Sequence, residues 1–164
     1  MAQKFRQVNE AFDWVFEASS KDEQITRLKE VAKSNQTIVP LVRWGVGAEE
    51  VDWGLPDGMP EAAKIEDDVP DGMGETTIAL EFRRIKQFVD PTANLKNLPD
   101  WKQEMNWLSI MEGLHHKEAM LMTQVKDKQL IAAYPKLEGI LSKLGIEDYV
   151  KPKKTRATRK KKKQ

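Results

Sequence analysis

The sequence contains no cysteine, and none of its apolar runs is long. The absence of cysteine excludes a disulfide framework and any thiolate metal site. The apolar runs fall short of the about 18–20 residues that a membrane helix needs, so we expect no membrane association. The first nine residues carry two cations, Lys4 and Arg6, and lack the continuous apolar core of a secretion signal. We therefore expect a protein of a reducing cytoplasm.

The sequence also lacks the motifs of common catalytic sites. Its two histidines, His115 and His116, are adjacent, so on a helix they diverge by roughly 100° and cannot both face one metal ion. We interpret them as a capping or solvated pair. Gly45-Val46-Gly47 lacks the third glycine of a dinucleotide-binding loop. Carboxylates cluster at 49–52 and 66–68, but consecutive loop residues diverge, so we expect no catalytic residue, no metal and no cofactor.

The sequence does have a sharp separation of charge. Residues 151–164 contain nine basic residues and no acidic one. Residues 1–150 contain the other 18 basic residues and all 26 acidic ones, so their formal charge is −8 against +9 for the end of the chain. We therefore divide the chain into an acidic helical domain, residues 1–150, and a disordered basic tail, residues 151–164.

The basic tail is the clearest candidate for a binding segment. No aromatic residue lies among its cations, so it offers no base stacking. It can still neutralise phosphates without sequence preference, and we expect it to contact nucleic acid, DNA first of all. The alternatives are a solubilising tail and a segment attracted to an acidic protein surface. The residues assigned to nucleic-acid contact are Lys151, Lys153, Lys154, Arg156, Arg159, Lys160, Lys161, Lys162 and Lys163.

Apolar residues recur at helical spacing through most of residues 1–150. Ser20 followed by Glu23 is typical of a capping box at a helix start, and Thr76 or Thr77 is placed to cap a helix that runs to Val89. The pattern predicts about seven short amphipathic helices and no strand. Such helices bury one stripe each, and linkers of varied length favour an irregular bundle. The predicted fold class is therefore all-α.

Residues 45–75 interrupt this pattern with about thirty residues of little periodicity. Pro56-Asp57-Gly58 and Pro70-Asp71-Gly72 are both typical of turns, because proline presets φ and glycine accepts a positive φ. An irregular stretch of this length is unusual in a compact domain and can mark function. We expect a long ordered loop, held against the core by four apolar side chains: Trp53, Leu55, Met59 and Met73.

Two tryptophans are candidates for a protein interface. The helix expected after Pro99 has an apolar stripe at spacings of 4, 3 and 3, formed by Trp101, Met105, Leu108 and Met111. Trp107 lies off this stripe, and Trp14 lies off the stripe of the first helix. We therefore expect Trp14 and Trp107 to be exposed and to contact a protein partner.

One resemblance covers nearly the whole chain. The strings VDWGLPDGMP at 51–60 and PDGMGETT at 70–77, followed by EFRRI at 81–85, resemble a family of uncharacterised small proteins from T-even-like tailed phages, including phages of marine cyanobacteria. The resemblance implies a viral protein in the cytoplasm of a bacterial host, with the virion as an alternative location. It does not imply a function.

A second resemblance concerns the order of elements. The segments 22–29, 41–43, 125–130 and 134–137 are similar in order to the N-terminal helical DNA-binding domain of phage ATP-dependent DNA ligases. In that family the later segment follows the DNA minor groove. The DNA contacts that this implies here are Lys126, Lys128 and Lys136. The chain departs from the family in its acidic body and in lacking a Lys-x-Asp-Gly adenylation motif, which excludes ligase chemistry.

These observations predict a non-enzymatic, DNA-associated accessory protein of a phage. Its tail would contact nucleic acid without sequence preference, and its body would contact a phage or host protein. The alternative is a virion or assembly protein whose tail meets packaged genome or an acidic partner. A metal-dependent nuclease is a third and weaker candidate, which rests only on the abundance of carboxylates.

Overall fold

The computed structural model describes residues 5–65, 68–70 and 72–144, the last three of these by their backbone only. Within these ranges the protein is all-α, as predicted, and β-pairing is limited to an isolated bridge between Thr76 and Leu114. The predicted basic tail lies outside the described residues. The α-helices are α1 Val8–Glu17, α2 Lys21–Ser34, α3 Ile38–Val46, α4 Ile78–Lys86, α5 Asp100–Gly113, α6 His116–Lys126 and α7 Leu130–Ala133. Two 3₁₀ segments span Asn94–Asn97 and Pro135–Leu144.

Local capping explains where several helices begin and end. The Ser20 hydroxyl accepts a hydrogen bond from the backbone N–H of Glu23 at 3.1 Å, which starts α2 at the predicted cap. The Glu23 carboxylate pairs with Arg27, so only the serine half of the predicted capping box is present. The Thr77 hydroxyl accepts one from the N–H of Leu80 at 3.1 Å and starts α4. That helix ends at Lys86, so the prediction that it runs to Val89 was three residues too long; residues 87–89 form a hydrogen-bonded turn instead.

The helices pack around one apolar core. Helix α1 contacts α2 and α6, α3 contacts α6 and α7, and α4 contacts α5. A chain of aromatic contacts crosses this core, with ring centroids 5.0–5.7 Å apart at each step. Its members, in order of contact, are Phe82, Trp44, Trp53, Trp107 and Phe88. The chain joins α3, α4 and α5 to the long loop, because Trp53 belongs to that loop.

Helix α5 contacts the core with a different face from the predicted one. Trp107, expected at the surface, is 1% exposed and contacts both Trp53 and Phe88. Trp101 and Met105, expected in the core, are 62% and 57% exposed. The helix has apolar residues on more than one side, so its sequence contains two apolar stripes of helical spacing. The stripe that contacts the aromatic chain is the one that is buried. The predicted interface role of Trp107 is therefore wrong.

No helix among the described residues is both long and apolar enough to cross a membrane.

Candidate protein-binding groove

The first part of the loop between α3 and α4 is held in place by hydrogen bonds to side chains of other elements. The ammonium group of Lys96 donates to the carbonyl oxygens of Asp52 and Trp53, both at 3.1 Å. Burial lowers the pKa of Lys96, and the nearby Asp52 carboxylate acts in the opposite direction. Trp53 itself is buried, and Leu55 and Met59 are half-buried, as expected for anchors of this loop.

The two Pro-Asp-Gly turns are held in the same way at opposite ends of the loop. At the first turn, Lys126 Nζ donates to the carbonyl oxygen of Pro56 at 2.7 Å, and the N–H of Gly58 donates to Asp127 at 2.9 Å. The lysine therefore donates to a backbone carbonyl oxygen of the turn, and the aspartate that follows it in sequence accepts from the backbone N–H of the glycine. Gly58 has φ +82°, which a residue with a side chain rarely adopts.

At the second turn, Arg6 Nη1 donates to the carbonyl oxygen of Gly72 at 3.0 Å. The N–H of the same glycine donates to Gln7 Oε1 at 2.8 Å. This end of the loop is thus fixed by polar contacts with the start of α1. Met73 beside it is 66% exposed, so its predicted role as an apolar anchor was wrong.

A groove of about 510 Å³ lies between the first turn and the outer side of α5. The loop contributes one wall, from Leu55 to Ala62, and α5 contributes the other. The residues of the α5 wall are Trp101, Glu104, Met105, Trp107 and Leu108. Buried Trp107 joins this wall to the core, whereas Trp101 and Met105 project into solvent. Exposed apolar surface rimmed by polar groups is typical of a protein-interaction site.

The charged groups of the groove are all acidic. Asp57, Glu61 and Glu104 line it, and all three are exposed. None of their carboxylates forms a hydrogen bond or an ion pair with another described residue. Lys102 lies beside Trp101, with Nζ 5.8 Å from the ring centroid, but it is not part of the lining. Lys128, which is exposed, lines an adjoining pocket together with Asp57 and Glu104. The groove itself therefore combines apolar walls with a rim whose charged groups are all acidic.

A second polar centre lies in the core, where three helices begin. Glu118, which is fully buried in the first turn of α6, accepts hydrogen bonds from the N–H of Val8 at 2.7 Å and of Ile78 at 2.9 Å. Val8 and Ile78 are the first residues of α1 and α4. One carboxylate therefore satisfies N–H groups at two helix starts and lies at the positive end of a third.

Burial raises the pKa of Glu118 to about 7, because the charged form loses its hydration. The hydrogen bonds from Val8 and Ile78 oppose this shift, and so does the positive charge of Arg6. This carboxylate was not singled out from the sequence. The apolar run that directly follows it, from Ala119 to Met122, is the signal that could have identified it.

One residue of the histidine pair, His115, caps the start of α6. His115 is buried, and its Nδ1 accepts from the N–H of Lys117 at 3.0 Å, which confirms the expected capping role for this residue. Nε2 lies 3.0 Å from the carbonyl oxygen of Val69. Because Nδ1 accepts, the proton is assigned to Nε2, which donates to Val69. The His116 ring stacks on that of His115, with centroids 4.2 Å apart.

The residues predicted to bind DNA fall into three groups. Lys128 and Lys136 are exposed. Lys126 is 6% exposed, and its ammonium group is held by Pro56 and by Asp127 at 2.6 Å. It cannot offer that group to a phosphate, so its predicted role is corrected to a structural one. The nine cations of the tail lie outside the described residues.

Trp14 is half-buried rather than fully exposed. Its ring lies 5.6 Å from that of Phe5, and the guanidinium of Arg27 lies 4.7 Å from its ring centroid. The same guanidinium donates to the carbonyl oxygen of Trp14 at 2.6 Å. Its role in a protein interface stays a prediction.

Comparison with known proteins identifies one family. The profile of a family of unknown function (DUF6433) matches residues 12–132, which is 121 of the 164 residues. The matched range contains the groove and Glu118 and stops before the basic tail. No curated protein and no solved structure matches the chain significantly.

Proposed function

Because the chain belongs to this family of unknown function, whose description assigns no activity, we propose a function from its charge and its surface. We propose that it is a non-enzymatic, DNA-associated accessory protein of a phage. The basic tail contacts nucleic acid without sequence preference, and the acidic body contacts a protein partner.

The observation that carries this proposal is the separation of charge along the chain. Nine cations lie within the last fourteen residues, while the preceding 150 residues have a formal charge of −8. Binding to DNA gains free energy when cations neutralise phosphates and release counterions. The body repels phosphates overall, so the tail is the segment that can approach them. Exposed Lys128 and Lys136 are candidates for additional contacts.

The surface of α5 supports contact with a protein partner. Trp101 and Met105 are four residues apart, so they lie on the same side of the helix. Tryptophan is enriched among the residues that dominate binding energy at protein interfaces. We therefore assign the proposed protein interface to Trp101 and Met105 instead of Trp107.

A band-shift assay on a DNA duplex tests the role of the tail. The comparison is between the wild-type chain and a full-length variant in which the nine tail cations are glutamine. A control variant carries Lys29→Gln and Lys33→Gln, two exposed positions on α2. We expect the tail variant alone to lose binding. Equal binding by wild type and tail variant, or no binding by either at low salt, would contradict the proposal.

A further inference from the structure

We propose that the groove beside α5 binds a cationic segment of the protein partner, in which a large apolar side chain is flanked by lysine or arginine. This inference rests on the proposed function, because that function assigns a protein partner to the body. To the proposed function it adds the location of the binding site for the partner and the types of side chain that the bound segment carries.

The apolar part of the inference follows from exposure. Trp101 and Met105 are 62% and 57% exposed on a helix whose opposite side is buried. They stand beside a groove of about 510 Å³, a volume within the range of about 300–1,000 Å³ that is typical of binding pockets. An apolar side chain of the partner would remove both residues from water and gain the free energy of that burial.

The charge of the partner follows from the rim. Asp57, Glu61 and Glu104 have no partner among the described residues, and no cation lines the groove. Lys126, behind the loop wall, is buried and paired with Asp127. An acidic partner would meet like charge within the groove, whereas a basic one would meet complementary charge at several points. The rim therefore selects for a cationic segment.

The loop wall is organised before a partner arrives. Lys126 and Asp127 fix the first Pro-Asp-Gly turn through its carbonyl and N–H groups, and Lys96 fixes the residues that precede it. Buried Trp53 anchors the same stretch in the aromatic chain of the core. A preformed wall lowers the entropy that is lost on binding. The groove thus resembles a receptor for a short extended or helical segment.

Selection from a library of short random peptides against the full-length wild-type chain tests this inference. We expect enrichment of peptides in which an aromatic or large aliphatic residue is flanked by lysine or arginine. For one synthetic peptide of that kind, Trp101→Ala should weaken binding by about tenfold or more. Met105→Lys, which adds a cation to the wall, should have at least the same effect. Both sites are exposed, so circular dichroism should show both variants folded.

The charge of the rim is tested with matched variants. The double variant Glu61→Gln/Glu104→Gln should weaken binding of the cationic peptide by about threefold to tenfold at low salt and have little effect at high salt. The double variant Glu17→Gln/Glu75→Gln removes two exposed carboxylates from outside the groove and should have little effect at either salt concentration.

Three results would overturn the inference. One is enrichment of groove-dependent peptides that are acidic or neutral, and another is the absence of any peptide whose binding depends on Trp101. The third is markedly tighter peptide binding by the full-length chain with nine neutralised tail cations, provided that the gain persists at high salt and is lost with Trp101→Ala; that result would identify the protein's own tail as the occupant. DNA binding is measured separately, so failure of the proposed function at the tail remains distinguishable from failure at the groove.

Discussion

The ammonium group of Lys126 lies 2.6 Å from Asp127 Oδ1 and 2.7 Å from the carbonyl oxygen of Pro56. Two consecutive residues at the end of α6 therefore hold the loop that forms one wall of the groove. The same pair explains why a lysine expected to contact DNA is buried. Its charge is used within the protein to fix an irregular segment.

Removal of this contact should destabilise the protein. Lys126→Met leaves the Pro56 carbonyl and the partly buried Asp127 carboxylate without their cation, so we expect a loss of about 1–3 kcal/mol. Urea denaturation measures the loss. The matched variant Lys128→Met, at an exposed position two residues later, should change the free energy of unfolding by less than about 0.5 kcal/mol. Equal effects of the two substitutions would contradict a structural role for Lys126.

The buried Glu118 predicts a pH dependence of stability. Its pKa is raised from 4.5 to about 7 in the folded protein, so the folded state binds this proton more tightly than the unfolded state does. Its contribution to stability is therefore fully present below about pH 4.5 and is lost as the pH rises through about 7. The slope cannot exceed about 1.4 kcal/mol per pH unit for one group.

Glu118→Gln tests this assignment. Glutamine does not ionise in this range, so its free energy of unfolding should vary less between about pH 4.5 and 7 than that of wild type. Glu17→Gln, at an exposed position, should keep the wild-type slope. Identical pH profiles for wild type and Glu118→Gln would show that another group titrates.

The first Pro-Asp-Gly turn depends on the backbone freedom of glycine. A Cβ at Gly58 would meet no atom within 4 Å, so the cost of Gly58→Ala comes from φ +82° alone and should be about 1–2 kcal/mol. Gly58→Asn should cost less, because asparagine tolerates this region better. Gly139→Ala, where the nearest atom is the end of Lys21 at 3.8 Å, should cost little. Urea denaturation compares the three, and the opposite order would refute the argument.

Substitution of the two tryptophans of α5 separates fold from interface. Trp107→Ala removes a buried indole from the aromatic chain and should cost about 3–5 kcal/mol of stability. Trp101→Ala removes an exposed side chain and should change stability by less than about 1 kcal/mol. Thermal or urea unfolding measures both. A larger loss at Trp101 than at Trp107 would contradict the observed face of α5.

Local signals in the sequence identified much of the fold. Ser20 and Thr77 mark helix starts because their hydroxyls can cap nearby N–H groups, and the structure has both caps. The face of α5 could not be chosen in this way, since Trp101 and Trp107 both belong to plausible stripes. The choice depends on Trp53, which belongs to a loop without periodicity.

The polar contacts of Glu118 and Lys126 could not be predicted from local sequence patterns either. Glu118 meets Val8 and Ile78 across 110 and 40 residues of sequence. Lys126 meets Pro56 across 70 residues. Periodicity describes neighbours on one element, so it cannot identify partners that only the packed helices bring together.

The salt dependence of binding to a labelled DNA duplex, followed by fluorescence anisotropy, tests the central claim most directly. If the nine tail cations neutralise phosphates, a plot of log affinity against log salt should fall with a slope that approaches about −8 when all nine engage. The full-length chain with a neutral tail should bind far more weakly at low salt, and any residual binding should have a much shallower slope. The same slope for both chains would contradict the assignment of nucleic-acid contact to the tail.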